Sequence, residues 1–448
     1  MYRSLFPFIV LSLSFLSSCE EPRNSENMID IDPIVSEDVV IYDSEIFFDG
    51  YTLIAPVRSN FIYLVDMEGF PVHSWESQHL GLANYLQSDG SLYRTFSIPN
   101  NVFNFGGRTG GIEKFDFEGN LLWSWEYTSE TYTLHHDLAI LPNGNILASV
   151  WDLKNKEEAI LVGRNPDLLI NDSVWPDRII EIKPEGTNQA QIVWEWSVWD
   201  HLVQDFDSTK DNFGDISSHP ERLNINYTIG DANFNHINAL FYIEPFDQIV
   251  FSSRRFSEVF VLDHSTTTQE AKESSGGLYN KGGDILYRWG NPEAYDVGTT
   301  ADRRLYEQHD IRWIGDLPKN GNGNFLVFNN NPLPEQSTIN EIKLPQNQDG
   351  SFNLTPNMNN SPLDFAWTYA NPEIYAPRVS GAQRLLNGNT LITEGTEGVL
   401  YEINAQSKLV WQYKIPLEVP DVFKCFRYPL DYPAFENKNL DTIDIPIE

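Results

Sequence analysis

The sequence predicts an all-β protein, a six-bladed β-propeller of four-stranded antiparallel blades, closed by strands from the N- and C-terminal parts of the chain sharing one blade. Three observations lead there. Three strand patterns recur six times each, in a fixed order, along 448 residues, and a fourth recurs five times. The final segment has the character of the missing sixth copy. Aromatic content is 13%, with 12 Trp and 20 Tyr, enough to fill a large β core.

In chain order, the opening MYRSLFPFIVLSLSFLSSCEEP has an early Arg3, an apolar run too short to span a bilayer, and small residues ahead of Cys19. Residues 16–19, Leu-Ser-Ser-Cys, resemble the bacterial lipobox. Residues 1–18 therefore read as a lipoprotein signal peptide, with cleavage before Cys19 and lipidation of its thiol. Residues 19–46 are polar and acidic without periodicity, as in a flexible tether. The expected location is the bacterial cell envelope, on the periplasmic side of the outer membrane or on the cell surface, with a lipid anchor as the only membrane contact. Formal charge is 30 − 64 = −34, which repels a phosphate backbone and argues against nucleic acid as a partner. Cys425 is the only other cysteine, so the mature chain makes no internal disulfide.

The propeller is expected over residues 47–448. Its most regular pattern is a turn followed by a β-rich run: DGYTLIAP (49–56), DGSLYRTF (89–96), NGNILASV (143–150), FDQIVFSS (246–253), NGNFLVFN (322–329) and NGNTLITE (387–394). An alternating strand follows each, as in EVFVLDHS (258–265), and then an aromatic strand, as in NLLWSWE (120–126). Trp123, Trp194, Trp289, Trp367 and Trp411 lie on these outer strands and read as packing between blades. Ahead of the turns stand the innermost runs ANYLQS, HDLAILP, HINALFYI, HDIRWIG and SGAQRLL. The triplet at 49–76 lacks one, and FKCFRYPLDYP (423–433) supplies it, closing a ring with few free edges. Two insertions break the regularity. Residues 153–178 lengthen one blade, and residues 198–233 are expected to cover the channel mouth as a lid.

Three innermost runs begin with histidine at one register: His136, His236 and His309. Blade geometry gathers them at one mouth although 100 and 73 residues separate them (236 − 136 and 309 − 236). Arg254 ends the strand antiparallel to the run that His236 begins, so it reaches the same place, with Asn238 beside it. Packing has no need of imidazole at one register of a repeat. Neighbouring histidines disfavour each other's charging, which keeps at least one neutral as a nucleophile or base. Arg254 and Asn238 add donors suited to a tetrahedral oxyanion such as sulfate. Two chemistries compete. Three imidazoles could bind zinc or copper with an open position, or one could attack a sulfuryl group and carry it as an N-sulfo intermediate. A fixed guanidinium beside the histidines suits the second better.

HHDLAILPNGN, the HIN with SSR downstream, LDHSTTTQE, GGDILYRWGNPEAY, QHDIRWI with NGNFLVFNN, and LLNGNTLI together resemble the bacterial arylsulfotransferase family from about Gly50 onward. The resemblance implies a six-bladed propeller that moves a sulfuryl group from a phenolic sulfate ester to a phenol by a ping-pong route, without the nucleotide donor PAPS. It implies no cofactor and no metal. On it, His309 of QHD is the nucleophile that becomes a sulfohistidine. His236 and Asn238 of HIN and Arg254 of SSR bind and polarise the sulfuryl oxygens. His136 of HHD stands near the aryl oxygen, as a hydrogen-bond partner or general acid and base. The partners are then an aryl sulfate donor and a phenolic acceptor. Better-known members carry an N-terminal β-sandwich used in dimerisation and a disulfide; the segment before Gly50 is short and the cysteines are too few, so a monomer is expected.

By strand alternation His135 and Arg255 point away from the channel. His201 and Asp200 of WDHLVQD form a second tier of candidates, and His264 reads as a turn cap. Tyr85 and Trp313 are candidates for an aromatic wall but suit the core better. Two other functions remain open from the residues alone: a metal-dependent hydrolase or lyase using the same histidines, and a non-catalytic surface propeller that binds ligands at its mouth.

Overall fold

The computed structural model describes residues 35–228, 232–315, 321–357, 364–445 and 447. The expected signal peptide, the lipidation site Cys19 and residues 19–34 of the expected tether lie outside the described residues. Six antiparallel sheets form a ring, each with four blade strands, and almost no helix is present. This is the six-bladed β-propeller that the repeats predict.

Blade 1 contains Gly50–Ile54, Phe61–Val65 and Pro71–Glu76, and its innermost strand is the distant Phe426–Pro429. Leu53 pairs with Phe426 and Gly50 with Pro429, so the closing strand runs antiparallel in regular register. Blades 2 to 6 begin with the innermost strands Gly81–Leu86, Tyr132–Ile140, Ile237–Ile243, His309–Trp313 and Gly381–Arg384. Side chains from both faces of each sheet fill the spaces between blades, where Trp123, Trp194, Trp289 and Trp411 are buried and Trp367 is half-buried. Indole N–H groups also link neighbours. Trp75 donates to Asp116 O at 2.9 Å, Trp123 to Gln189 O at 2.8 Å and Trp411 to Met67 O at 2.9 Å, each from an outer strand to the next blade. A buried indole keeps its large apolar area and its donor satisfied in this way.

Two expectations are corrected. Part of the expected tether, Val39–Tyr42, is a fifth strand on blade 6, with Tyr42 opposite Trp411 and Val39 opposite Tyr413. Its cause is apolar: Val39, Tyr42, Phe47 and Phe48 pack on the core shared by blades 6 and 1. Most of the described part of the insertion at 198–233 packs on a flank of the ring and not across the central cavity as expected of a lid. Val198, Leu202, Val203, Ile216, Leu223 and Ile225 are buried with Trp194 and Trp196 on the flank of blades 3 and 4. Hydrophobic burial holds the segment there, and none of its described residues lines the central cavity.

Candidate active site

The innermost strands of blades 2 to 5 lose regular pairing where they enter the channel. The shifts fall between Gly81 and Asn84, at His136–Asp137, at Asn238 and at Asp310–Ile311. Such bulges bend a strand and re-aim its side chains. His136 and His236 adopt left-handed backbone at φ 50° and 56°, and Glu307 and Asp310 do so at 56° and 54°. Each such residue costs about 1–3 kcal/mol and persists because its surroundings hold it. The effect here is convergence: the rings of His136 and His236 lie 4.5 Å apart, centroid to centroid, at 68°.

His136, His236, His309 and Arg254 line one cavity of about 400 Å³. Apolar walls come from Phe105 and Phe423, with Leu82 and Val379, and Arg378 and Asp421 stand at the cavity, paired at 3.0 Å. The Phe105 ring meets His236 edge-on at 5.5 Å. Gly107, at φ 88°, belongs to the same loop; a Cβ there would overlap the imidazole of His136, so only glycine allows so close an approach.

Hydrogen-bond partners fix which nitrogen of each ring carries a proton. His309 Nδ1 is 2.8 Å from Asn330 Oδ1 and 3.1 Å from Glu307 O. Both partners only accept, because the Asn330 amide nitrogen is itself donated to Ala376 O and Val379 O. Nδ1 of His309 is therefore the N–H, and Nε2 keeps a lone pair. In His236 the roles reverse. The Asn233 amide nitrogen stands 2.6 Å from Nδ1, which accepts, so Nε2–H is a donor. His136 Nδ1 meets His135 Nδ1 at 2.9 Å.

All three cavity histidines are held neutral. Burial, followed by the charge of Arg254, lowers His309 to about 3. His236 is pushed well below the ordinary imidazole range by the same two causes in the same order, and His136 by burial and then by His236. Arg254 donates its backbone N–H to His236 O at 3.0 Å and its Nη2 to Glu307 Oε2 at 2.7 Å. Asn331 also donates to that oxygen, at 2.9 Å, which braces the guanidinium from behind. Burial and a fixed cation thus keep these imidazoles uncharged.

Several candidates are placed elsewhere. Asn238 does not line the cavity: it donates to Gln308 O at 2.7 Å and accepts from Ser252, so its amide joins blade 4 to the residue before His309. His201 is buried against Trp196 and bonded to Asp284 at 2.9 Å and to Ala271 O at 2.8 Å, which makes it an anchor of the insertion. Asp200 is exposed in an outer hollow with Trp199. His264 bridges Asp247 at 2.7 Å and Glu181 at 3.0 Å, an ionic clasp rather than a turn cap. Neither Tyr85 nor Trp313 reaches the cavity; the aromatic wall is Phe105 and Phe423.

Below the histidines lies a buried ionic node that sequence reasoning missed. Lys424 Nζ is 2.8 Å from Asp137 Oδ2 and 3.1 Å from Asp310 Oδ1. Tyr85 donates to Asp137 at 2.6 Å, and Arg312 bonds Asp310 at 3.1 Å. Burial alone would raise Asp310, but Arg312 and Lys424 outweigh it and hold the carboxyl below its usual range. The signal was present as His-Asp repeated at one register in HHD and QHD. Among the described residues no group of three or more His, Cys, Asp or Glu is arranged to hold a metal ion. None of the described helices is long and apolar enough to cross a membrane.

Fold and cavity together define a β-propeller whose central cavity gathers three histidines and an arginine. A family model described as Arylsulfotransferase (ASST) matches residues 58–419, and the chain belongs to that family, with aryl sulfotransferase activity in the general sense. No curated protein sequence matches the chain. Among solved structures, a protein of unknown function from Bacteroides caccae is similar at 11% identity, TM-score 0.46, over 85% of this chain and 98% of that one. A putative 6-phosphogluconolactonase from Bacteroides fragilis is similar at 11% identity, TM-score 0.40, over 85% and 98%. Virginiamycin B lyase from Staphylococcus aureus follows at 11% identity, TM-score 0.35, over 85% and 89%.

Proposed function

We propose that the protein transfers a sulfuryl group from an aryl sulfate ester to a phenol in two steps through a sulfohistidine at His309, without a nucleotide donor. The observation that carries this reading is the tautomer of His309. Its Nδ1–H is donated to Asn330 and Glu307, so Nε2 is a neutral nucleophile in a cavity with a braced arginine.

In the first step Nε2 of His309 forms a bond to sulfur as the bond from sulfur to the aryl oxygen breaks. The electron pair stays on that oxygen, which leaves as aryloxide. Arg254 and the Nε2–H of His236 stabilise charge on the sulfuryl oxygens. In the second step His136 takes the proton of the acceptor phenol, whose oxygen attacks sulfur, and the N–S electron pair returns to His309. A cavity of about 400 Å³ with Phe105 and Phe423 as walls suits an aromatic ring and one sulfuryl group.

Rapid mixing with a chromogenic aryl sulfate alone should release aryloxide in a burst equal to the number of sites. Mass spectrometry should then find one sulfuryl group on His309, and steady turnover should require a phenol. A burst without that modification, or hydrolysis indifferent to phenol, would remove the two-step reading.

A further inference from the structure

His135 is turned out of the cavity, as alternation requires, but it remains in the site's chemistry. It is buried, its ring stacks on Trp151 at 4.3 Å and 7°, and its Nδ1 lies 2.9 Å from Nδ1 of His136. Its other nitrogen, Nε2, is 3.3 Å from Oδ1 of the buried Asp177. Asp177 opens the third strand of blade 3, opposite Trp151, and is tied to the segment that carries His236. Its backbone N–H donates to Asn235 Oδ1 at 2.9 Å, and its Oδ2 accepts from the N–H of Ile237.

Electrostatics along this row favour one arrangement of neutral rings, because His135 Nε2 and Asp177 Oδ1 face each other at 3.3 Å and neither atom has a hydrogen-bond partner elsewhere. A carboxylate only accepts, so the His135 proton sits on Nε2, facing Asp177. Nδ1 of His135 then accepts, and the proton between the two rings belongs to Nδ1 of His136. His136 is left with its lone pair on Nε2, the edge remote from His135. We infer that Asp177 and His135 form a buried relay that holds His136 as a base, with Nε2 ready to take the proton of the acceptor phenol.

This rests on the proposed two-step transfer and assigns its proton path. When Nε2 of His136 gains the phenolic proton, its Nδ1 proton can shift to Nδ1 of His135. The positive charge then lies beside the Asp177 carboxylate, away from Arg254 and the other two histidines. No electron is gained or lost, and once the product leaves the proton returns along the same row to Nε2 of His136 and passes from there to solvent. Asp177 and His135 are positioning residues; His136 is the one that meets the substrate. The arrangement solves a conflict at the cavity. The neighbours that keep the rings neutral also oppose the charge that a base must accept, and the relay exports that charge toward the Asp177 carboxylate.

The test separates the half-reactions in the full chain. In Asp177→Asn, transfer to weakly acidic phenols should fall about a hundredfold relative to the sulfation burst measured on the same preparation. The deficit should shrink steadily as the acceptor becomes more acidic, because an ionised phenol needs no base. His135→Gln, matched to the wild type by thermal melting, should show the same dependence on acceptor acidity. Equal loss in both half-reactions, or a deficit independent of acceptor acidity in whichever variant melts cooperatively, overturns the relay while leaving sulfation of His309 standing. Absence of a burst in the wild-type protein overturns both.

Discussion

Asp137 and Asp310 each follow a cavity histidine by one residue, yet the two residue types end in environments of opposite kind. Above, His136, His236 and His309 share a space with Arg254, and the Glu307 carboxylate braces that cation. Below, Lys424 is matched by Asp137 and Asp310, with Tyr85 and Arg312 completing their bonds. One layer is kept uncharged, and the other is charged and paired. A left-handed residue at each entry makes the division, because it sends a histidine one way and the following aspartate the other. The uncharged rings are thus followed directly in the chain by carboxylates that are paired.

Substitutions that exchange the two behaviours test the comparison. His309→Ala removes the proposed nucleophile and should abolish both burst and turnover with a chromogenic donor, while urea unfolding changes little; residual turnover would move the nucleophile to another ring. Lys424→Met leaves two carboxylates buried without their cation and should lower stability by about 3–5 kcal/mol in urea titrations. Adding Asp137→Asn and Asp310→Asn should restore most of it, and failure to do so would mean that the lysine acts by packing alone. Arg254→Ala should reduce the burst rate by about a hundredfold without ending it, as expected for loss of one oxyanion donor.

The smallest effects concern pH. His309 titrates near 3 when folded and near an ordinary 6.5 when unfolded, so the unfolded chain takes up the proton first as acid is added. Stability contributed by this group is therefore lost as pH falls from about 6.5 toward 3. His264 has the opposite sign. Burial opposes its charge, but Asp247 and Glu181 outweigh burial and raise it to about 9. Its contribution is complete below about 6.5 and is lost as pH rises through about 9. His264→Gln should flatten the alkaline limb of a stability profile and also part of the acid limb, because His264 holds the Asp247 carboxyl and, against burial, the Glu181 carboxyl below their usual range, with the burst rate nearly flat between about pH 5 and 8.

Strand order, blade count and the closing segment were legible because each depends on local alternation repeated along the chain. The gathering of His136, His236, His309 and Arg254 in one cavity was legible for the same reason: register in a repeat is position in space. Asn238 was misplaced because a bulge falls on it, so counting by twos turns it toward the mouth while its amide reaches Gln308. Lys424 was missed because its value depends on two carboxylates 287 and 114 residues away. His135 was set aside correctly as a lining residue, and alternation carries no information about what stands behind a ring. The insertion at 198–233 was read from connectivity alone; its isoleucines and leucines, which decide where it packs, were in plain view.

The strand that closes the circle begins two residues after Lys424, and Phe426 is held by Leu53. Closure of the propeller ring and charge balance beside His309 are consequently one event. Were that last strand to peel away, two carboxylates would lose their shared counter-ion at the same moment, so a half-open molecule retaining a working centre is not among its accessible states. Sulfate transfer by this protein would in that sense also report that the circle is shut.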